Sequence, residues 1–205
     1  MVVFIIPFSK GAGGAGVTAE EYYNRLIPYY RAYYDIEEPY ILCDTECLAH
    51  GHFFSHNEKY VLSREARLWE SNNFEHVFFI RKESLESEDL AKMDRMIKEH
   101  VEPVMVRNGK KYPEKDHMYT YITFVFFCGS PLEKEIIKRI KKYHFARNYL
   151  FSFRGFCEVK VAVVDVSGEK LYTNRSGASL KKLYKKLFRE TNRSLRKEER
   201  GGVSF

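Results

Sequence analysis

The 205-residue chain carries 34 Lys+Arg against 28 Asp+Glu, a formal net charge of +6 and a pI ≈ 9.0, with 44% hydrophobic residues. That apolar share excludes global disorder, and the length suits one domain that buries roughly 70% of its unfolded surface without staples. The basic balance is compatible with a polyanionic partner rather than a cationic one.

In chain order, residues 2–6 have the makings of a short strand. The opening MVVFIIPFSK is apolar over too few residues to span a bilayer, which takes about 20, and it lacks the basic start of a secretory signal. No membrane partner is therefore expected, and the chain is assigned to the cytoplasm. Gly11 to Gly16 follows, reading GAGGAG; residues 1–17 are taken as a flexible N-terminal extension. Thr18 and Glu21 form a capping box that opens a helix. Tyr23, Leu26, Ile27, Tyr30 and Tyr34 make its buried stripe, and Tyr22, Tyr29 and Tyr33 a second stripe that is a candidate partner surface. Pro28 should kink this helix.

Strand-like runs lie near 40–43, 47–55, 59–70 and 74–81, with Asn72-Asn73 as a turn between the last two. The short connections predict an antiparallel meander. A helix capped by Ser87 follows, burying Leu90, Met93, Ile97 and Val101. Residues 108–115 form a basic loop. Met118 to Phe127, MYTYITFVFF, is apolar or aromatic on both strand faces, so it belongs inside a sheet covered on both sides. Ser130 and Glu133 form a second capping box, opening a helix with Leu132, Ile136, Ile137, Ile140 and Tyr143 inward. Strands are predicted at 148–153 and 158–166, a turn at Ser167-Gly168, and a strand at 170–173. A last helix begins near Ser179 and buries Leu180, Leu183, Tyr184, Leu187 and Phe188. Residues 191–205 read as a loose basic tail. The expected architecture is a single α+β domain over residues 18–190, a mainly antiparallel sheet covered by helices around a single core.

Several motifs invite a chemical reading. Gly11, Gly13 and Gly16 match GxGxxG, and Asp165 after a strand imitates a magnesium aspartate. Yet Val17 stands where a phosphate-gripping lysine belongs, and the segments after it lack the crossover such loops require. His50, His52 and His56 project from one strand face and make an alternative metal set, with Glu58 nearby. Asp44, Glu46, Glu58 and Lys59 resemble a nuclease carboxylate-lysine pattern, but adjacent Glu58 and Lys59 point to opposite faces. Cys43, Cys47, Cys128 and Cys157 contain no CxxC pair and read as free thiols in a reducing compartment. Cations cluster in the loop (Lys110, Lys111, Lys115), at Arg154, and on the last helix (Lys181, Lys182, Lys185, Lys186). With Arg147, Lys160, Tyr112, Phe151 and Phe153 nearby, they suit single-stranded nucleic acid or another polyanion.

The segments Glu58 to Glu70, Tyr112 to Phe127 and Asn148 to Val166 resemble a family of uncharacterised domains from clostridial-type bacteria, a resemblance covering roughly Thr18 to Phe188. It implies a bacterial, cytoplasmic domain of unknown function and brings no catalytic residue. No complete catalytic motif is present and no cofactor is expected. The preferred reading is a non-enzymatic binding module contacting nucleic acid or another acidic partner. The alternative is a metal-dependent hydrolase or nuclease built on residues 47–59.

Overall fold

The fold starts where the sequence supplies a stop for loose backbone amides. In the computed structural model, which describes residues 17–60 and 67–201 (side chains of 58–60, 67–70 and 192–201 excepted), Thr18 caps helix α1 (Ala19–Arg31). Its hydroxyl accepts from Glu21 N at 3.1 Å while Glu21 accepts from Thr18 N at 2.8 Å, the expected reciprocal box. The helix continues through Pro28, with Tyr22, Tyr23, Leu26, Ile27 and Tyr30 buried. The second tyrosine stripe divides: Tyr22 is sealed against Phe188 and Tyr184, while Tyr33 is exposed. The predicted strand at 2–6 and the glycine segment 11–16 lie outside the described residues.

The described strands are β1 (Asp35–Glu37), β2 (Tyr40–Leu42), β3 (Thr45–Cys47), β4 (Ala49–Tyr60), β5 (Arg67–Lys82), β6 (His117–Cys128), β7 (Ala146–Asn148), β8 (Phe156–Asp165) and β9 (Lys170–Thr173). Seven form one sheet in the order β1-β4-β5-β6-β8-β7, with β9 also pairing β8. Pairings β1–β4, β4–β5, β7–β8 and β8–β9 are antiparallel, whereas β5–β6 and β6–β8 are parallel. The protein is thus α+β with a mixed sheet whose flanks are antiparallel and whose centre is parallel. Of the predicted antiparallel meander, β4 and β5 pair as expected; the run near 40–43 falls in β2, which forms a separate hairpin with β3, and β1, outside the predicted runs, pairs with β4.

The parallel centre follows from residue type. Ile122 and Phe124–Phe127 are at most 2% exposed, because helices cover both faces of β6. On one face, Phe78, Ile80, Ile122, Phe124, Phe126, Val159 and Val161 pack beneath helix α2 (Ser87–Met96), its continuation and helix α3 (Lys134–Lys142). On the other, Val77, Phe79, Val125, Phe127, Ala162 and Val164 pack beneath α1 and helix α4 (Lys181–Gly201). Among the described residues, no helix is long and apolar enough to cross a membrane.

Local punctuation departs from expectation in four places. Asn72 and Asn73 sit inside β5, where Asn72 meets His56 across β4 and Asn73 is buried, so backbone pairing with β4 on one side and β6 on the other overrides the turn propensity. Glu86, not Ser87, is the N-cap of α2, and its amide donates to Asp89 at 2.9 Å. Ser130 donates to Glu83 at 3.0 Å instead of capping, so α3 starts later, after Glu133. Finally, α2 runs on into a π-helix (Ile97–Val106) that contains Pro103 and turns Glu102 inward, to 1% exposure.

Candidate functional site

Strands β5, β6 and β8 run in parallel, with Asn72 opposite His117 and Tyr119 opposite Phe156. The segments that enter β6 and β8, residues 107–116 and 149–155, therefore meet at one end of the sheet. Arg154 Nη1 donates to Pro113 O at 3.3 Å and joins them directly. His117 bridges them again: one ring nitrogen lies 2.8 Å from Arg154 O and the other 2.8 Å from Thr120 Oγ1. Burial holds the His117 imidazole below its ordinary pKa.

The second loop was predicted to be a strand, and the structure corrects this. β7 ends at Asn148, and Leu150, Phe151 and Ser152 follow in succession at φ 49°, 52° and 69°. A left-handed residue with a side chain costs roughly 1–2 kcal/mol, and three in a row end any strand. The loop is nevertheless closed by its own bonds: Tyr149 N to Gly155 O at 3.0 Å, Arg154 N to Tyr149 O at 3.1 Å and Phe153 N to Leu150 O at 3.0 Å. Gly155 (φ 69°) completes the return; a Cβ there would lie 2.1 Å from Met118 O, so only glycine fits. The loop presents Phe151 at 95% and Phe153 at 84% exposure, with Leu150 and Met118 also exposed.

A buried carboxylate underlies both loops. Glu102 accepts from Arg107 Nε at 2.7 Å and Nη2 at 3.1 Å, from Arg147 Nη1 at 3.1 Å and from Tyr149 OH at 2.7 Å. These four donors match the four acceptor positions of a carboxylate. Arg107 also donates to Lys110 O, so the same side chain braces the basic loop. Its guanidinium is held above its usual range, first by the hydrogen bond to Glu102. The Tyr149 hydroxyl lies 3.2 Å from Cys157 Sγ as well. Burial raises the Tyr149 phenol and pushes the Cys157 thiol up to about 11, so both stay protonated near neutrality. Glu102 escaped sequence reasoning because a glutamate in a polar helix reads as solvated. The π-turn that redirects it has only Pro103 as a trace.

The predicted cations divide into two groups. Lys110, Lys111, Lys115 and Arg154 gather at this end; Lys110 pairs with Glu114, and Lys111 Nζ stands 5.4 Å from the Tyr112 ring. These segments and their anchors carry the six cations Arg107, Lys110, Lys111, Lys115, Arg147 and Arg154 and the three carboxylates Glu102, Glu114 and Asp116, a positive balance. Lys160 does not join them. It lies on the other sheet face, 3.1 Å from Glu75 Oε1 and 3.6 Å from the centre of the Tyr121 ring. Lys181, Lys182, Lys185 and Lys186 are exposed on α4, which packs on the face opposite the π-helix. Lys186 pairs with Glu190 at 3.6 Å.

Two histidines of the alternative site, His50 and His52, share His76 as a neighbour, while His56 lies apart from them. A His50 ring nitrogen lies 3.0 Å from His76, His52 stacks on His76, and His56 reaches Asn72 at 2.6 Å. His50, His52 and His76 line an open recess of about 360 Å³ with Asp35, Ile36 and Glu37. Among the described residues, no group of three or more His, Cys, Asp or Glu side chains has an arrangement that could hold a metal ion. Asp44 pairs with Lys92 at 3.1 Å, and Asp165 accepts from Ser167 Oγ and Gly168 N to close the turn into β9.

No curated protein and no solved structure matches the chain. A family model matches from the capping Thr18 to Lys186 in α4, and so takes in the whole loop platform. The chain belongs to the family described as Domain of unknown function (DUF8052), over residues 18–186.

Proposed function

We propose that this domain is a non-enzymatic binding module that holds a polyanionic partner against the end of the sheet built by residues 107–117 and 149–155. The observation that carries the reading is Phe151 and Phe153 standing in solvent on a left-handed, self-bonded loop beside Lys110, Lys111, Lys115 and Arg154. Folding alone gives no reason to keep costly backbone under exposed rings, and such outliers cluster where a surface is used. Fixed cations supply attraction to phosphates and the rings supply contact area. The cations of α4 lie on the opposite face and are a secondary basic surface. The reading includes a reducing, cytoplasmic setting, supported by the buried free cysteines Cys47, Cys128 and Cys157.

The test uses three probes at low salt: a labelled single-stranded oligonucleotide, heparin, and vesicles containing phosphatidylserine. At least one should bind, with affinity falling as salt rises. Reversing Lys110, Lys111, Lys115 and Arg154 to Glu should flatten the salt dependence, each lost phosphate contact removing about 0.7 to 0.9 from the log–log slope for a nucleic acid. Reversing Lys181 and Lys182 should change binding less. Failure of all three probes, or loss only through the α4 variants, would overturn the proposal.

A further inference from the structure

We infer that the polyanion is an anionic lipid surface, and that Leu150, Phe151 and Phe153 insert into it while the surrounding cations meet the headgroups. This rests on the polyanion reading above and makes it specific. The discriminating feature is the chemistry of the tip. Single-stranded nucleic acid is gripped by aromatic faces on which bases stack. Here two phenylalanines are joined by the aliphatic Leu150 and by Met118, exposed at 38% and 47%, and neither aliphatic side chain offers a stacking face. Phe151 and Phe153 also carry no polar group with which to read a base edge. An acyl–headgroup boundary takes all four side chains equally well, because it rewards apolar area of any shape.

The charge arrangement is complementary to that boundary. Lys110, Lys111 and Lys115 are exposed on the neighbouring loop, and Arg154 immediately follows Phe153. Cations flanking an apolar tip can reach anionic headgroups while the tip enters the layer, each contributing only near the surface. The rigidity of the loop also fits. Its internal hydrogen bonds and the Tyr149–Glu102 anchor hold the rings outward before contact, which lowers the ordering cost of insertion. The lack, among the described residues, of an apolar helix long enough to span bears on crossing a membrane, not on resting against one.

The experiment is co-sedimentation of the full chain with phosphatidylcholine vesicles, with and without phosphatidylserine. The same oligonucleotide titration and analytical ultracentrifugation run beside it. Variants are Phe151→Ser with Phe153→Ser, and Lys110→Glu with Lys111→Glu; thermal unfolding confirms that each stays folded, as exposed positions allow. The wild type should bind the phosphatidylserine vesicles and not the neutral ones. The serine pair should weaken binding about tenfold or more, as expected when even one phenylalanine no longer enters an apolar phase. The glutamate pair should weaken it in a salt-dependent way. Vesicle binding that survives the serine pair overturns insertion. Oligonucleotide binding without vesicle binding overturns the lipid inference and leaves the polyanion reading standing. A dimer abolished by the serine pair, without vesicle binding, assigns the tip to a second copy and overturns the inference. Failure of every anionic probe overturns both.

Discussion

Replacing Glu102 with Gln tests whether one buried carboxylate holds both loops. Glu102 is 1% exposed and accepts from Arg107, Arg147 and Tyr149, with Arg107 only 16% exposed in its side chain. Gln keeps the volume but loses the charge, and its amide nitrogen faces donors. Arg107 is then left as an inward cation with one acceptor instead of two, and Tyr149 or Arg147 loses its partner. Breaking a buried pair from one side costs about 3–5 kcal/mol, most of it the stranded charge. Arg147 is 52% exposed, so its own pair is screened, and Arg147→Ala should cost at most about 1 kcal/mol. A domain stability of about 5–15 kcal/mol leaves the variant folded but weakened. Urea unfolding followed by circular dichroism reads the loss, and binding to phosphatidylserine vesicles at a fixed, stabilising temperature reads the loop. The expected result is a large stability loss for Glu102→Gln, a small one for Arg147→Ala, and weakened vesicle binding for Glu102→Gln. A loss under about 1 kcal/mol at Glu102 would show that the four hydrogen bonds are not what holds this end together.

Three further outcomes follow from the same geometry. Phe151→Gly should raise stability by about 0.5–1 kcal/mol, because relief at φ 52° exceeds the added freedom of the unfolded chain, while vesicle binding falls; reduced stability would refute the claim of strain. Acid should destabilise the fold through His50 and His76: burial, with neighbouring imidazoles, holds them down at about 4 and about 3. Folded values below the unfolded value of about 6.5 mean that their stabilisation is complete above that pH and is lost progressively as pH falls from there to the folded values, already by about 2 kcal/mol per histidine near pH 5. Denaturant midpoints measured from pH 7 to pH 5 should fall, and should fall less in His76→Asn; equal slopes would refute the assignment. Phe124→Ala should cost about 3–5 kcal/mol, since its ring is fully buried between Phe78 and Phe126, and a cost under 1 kcal/mol would mean that β6 is not the sealed centre.

Much of the frame was legible because it rests on local chemistry. Thr18 and Glu21 satisfy each other's amides in any surroundings, and Leu90, Met93, Ile97 and Val101 share a face on helical spacing. Met118 to Phe127 reads as a doubly covered strand because apolar residues fill both of its faces; the structure seals its second half, Ile122 to Phe127, but leaves Met118 exposed and Tyr119 and Tyr121 half-buried at the end where the loops enter. The errors fall where distant partners decide. Asn72 and Asn73 are turn residues by propensity, but β4 lies opposite and His56 takes the Asn72 side chain. Ser130 had a glutamate three residues on, yet Glu83 claimed its hydroxyl. The parallel pairing of β5 with β6 depends on where a helical crossover returns the chain, which no short spacing encodes.

The site was legible in its cations and not in its shape. Lys110, Lys111, Lys115 and Arg154 were grouped from composition, and Arg154 does reach Pro113. The apolar letters of 149–153 carry the same pattern as a buried strand, so nothing in them shows three residues of positive φ. The bracketing Asn148 and Gly155 were the available hint, since both residue types tolerate turns. Lys160 was grouped with the loops, but alternation along β8 sends it to the opposite face, onto Glu75 and Tyr121.

The most direct measurement is amide hydrogen exchange of the full chain with and without phosphatidylserine vesicles. Protection gained only within residues 107–117 and 149–155, and lost in Phe151→Ser with Phe153→Ser, is the predicted footprint. Protection confined to α4 or to the β1–β4 edge, with these two loops unchanged, would contradict the account.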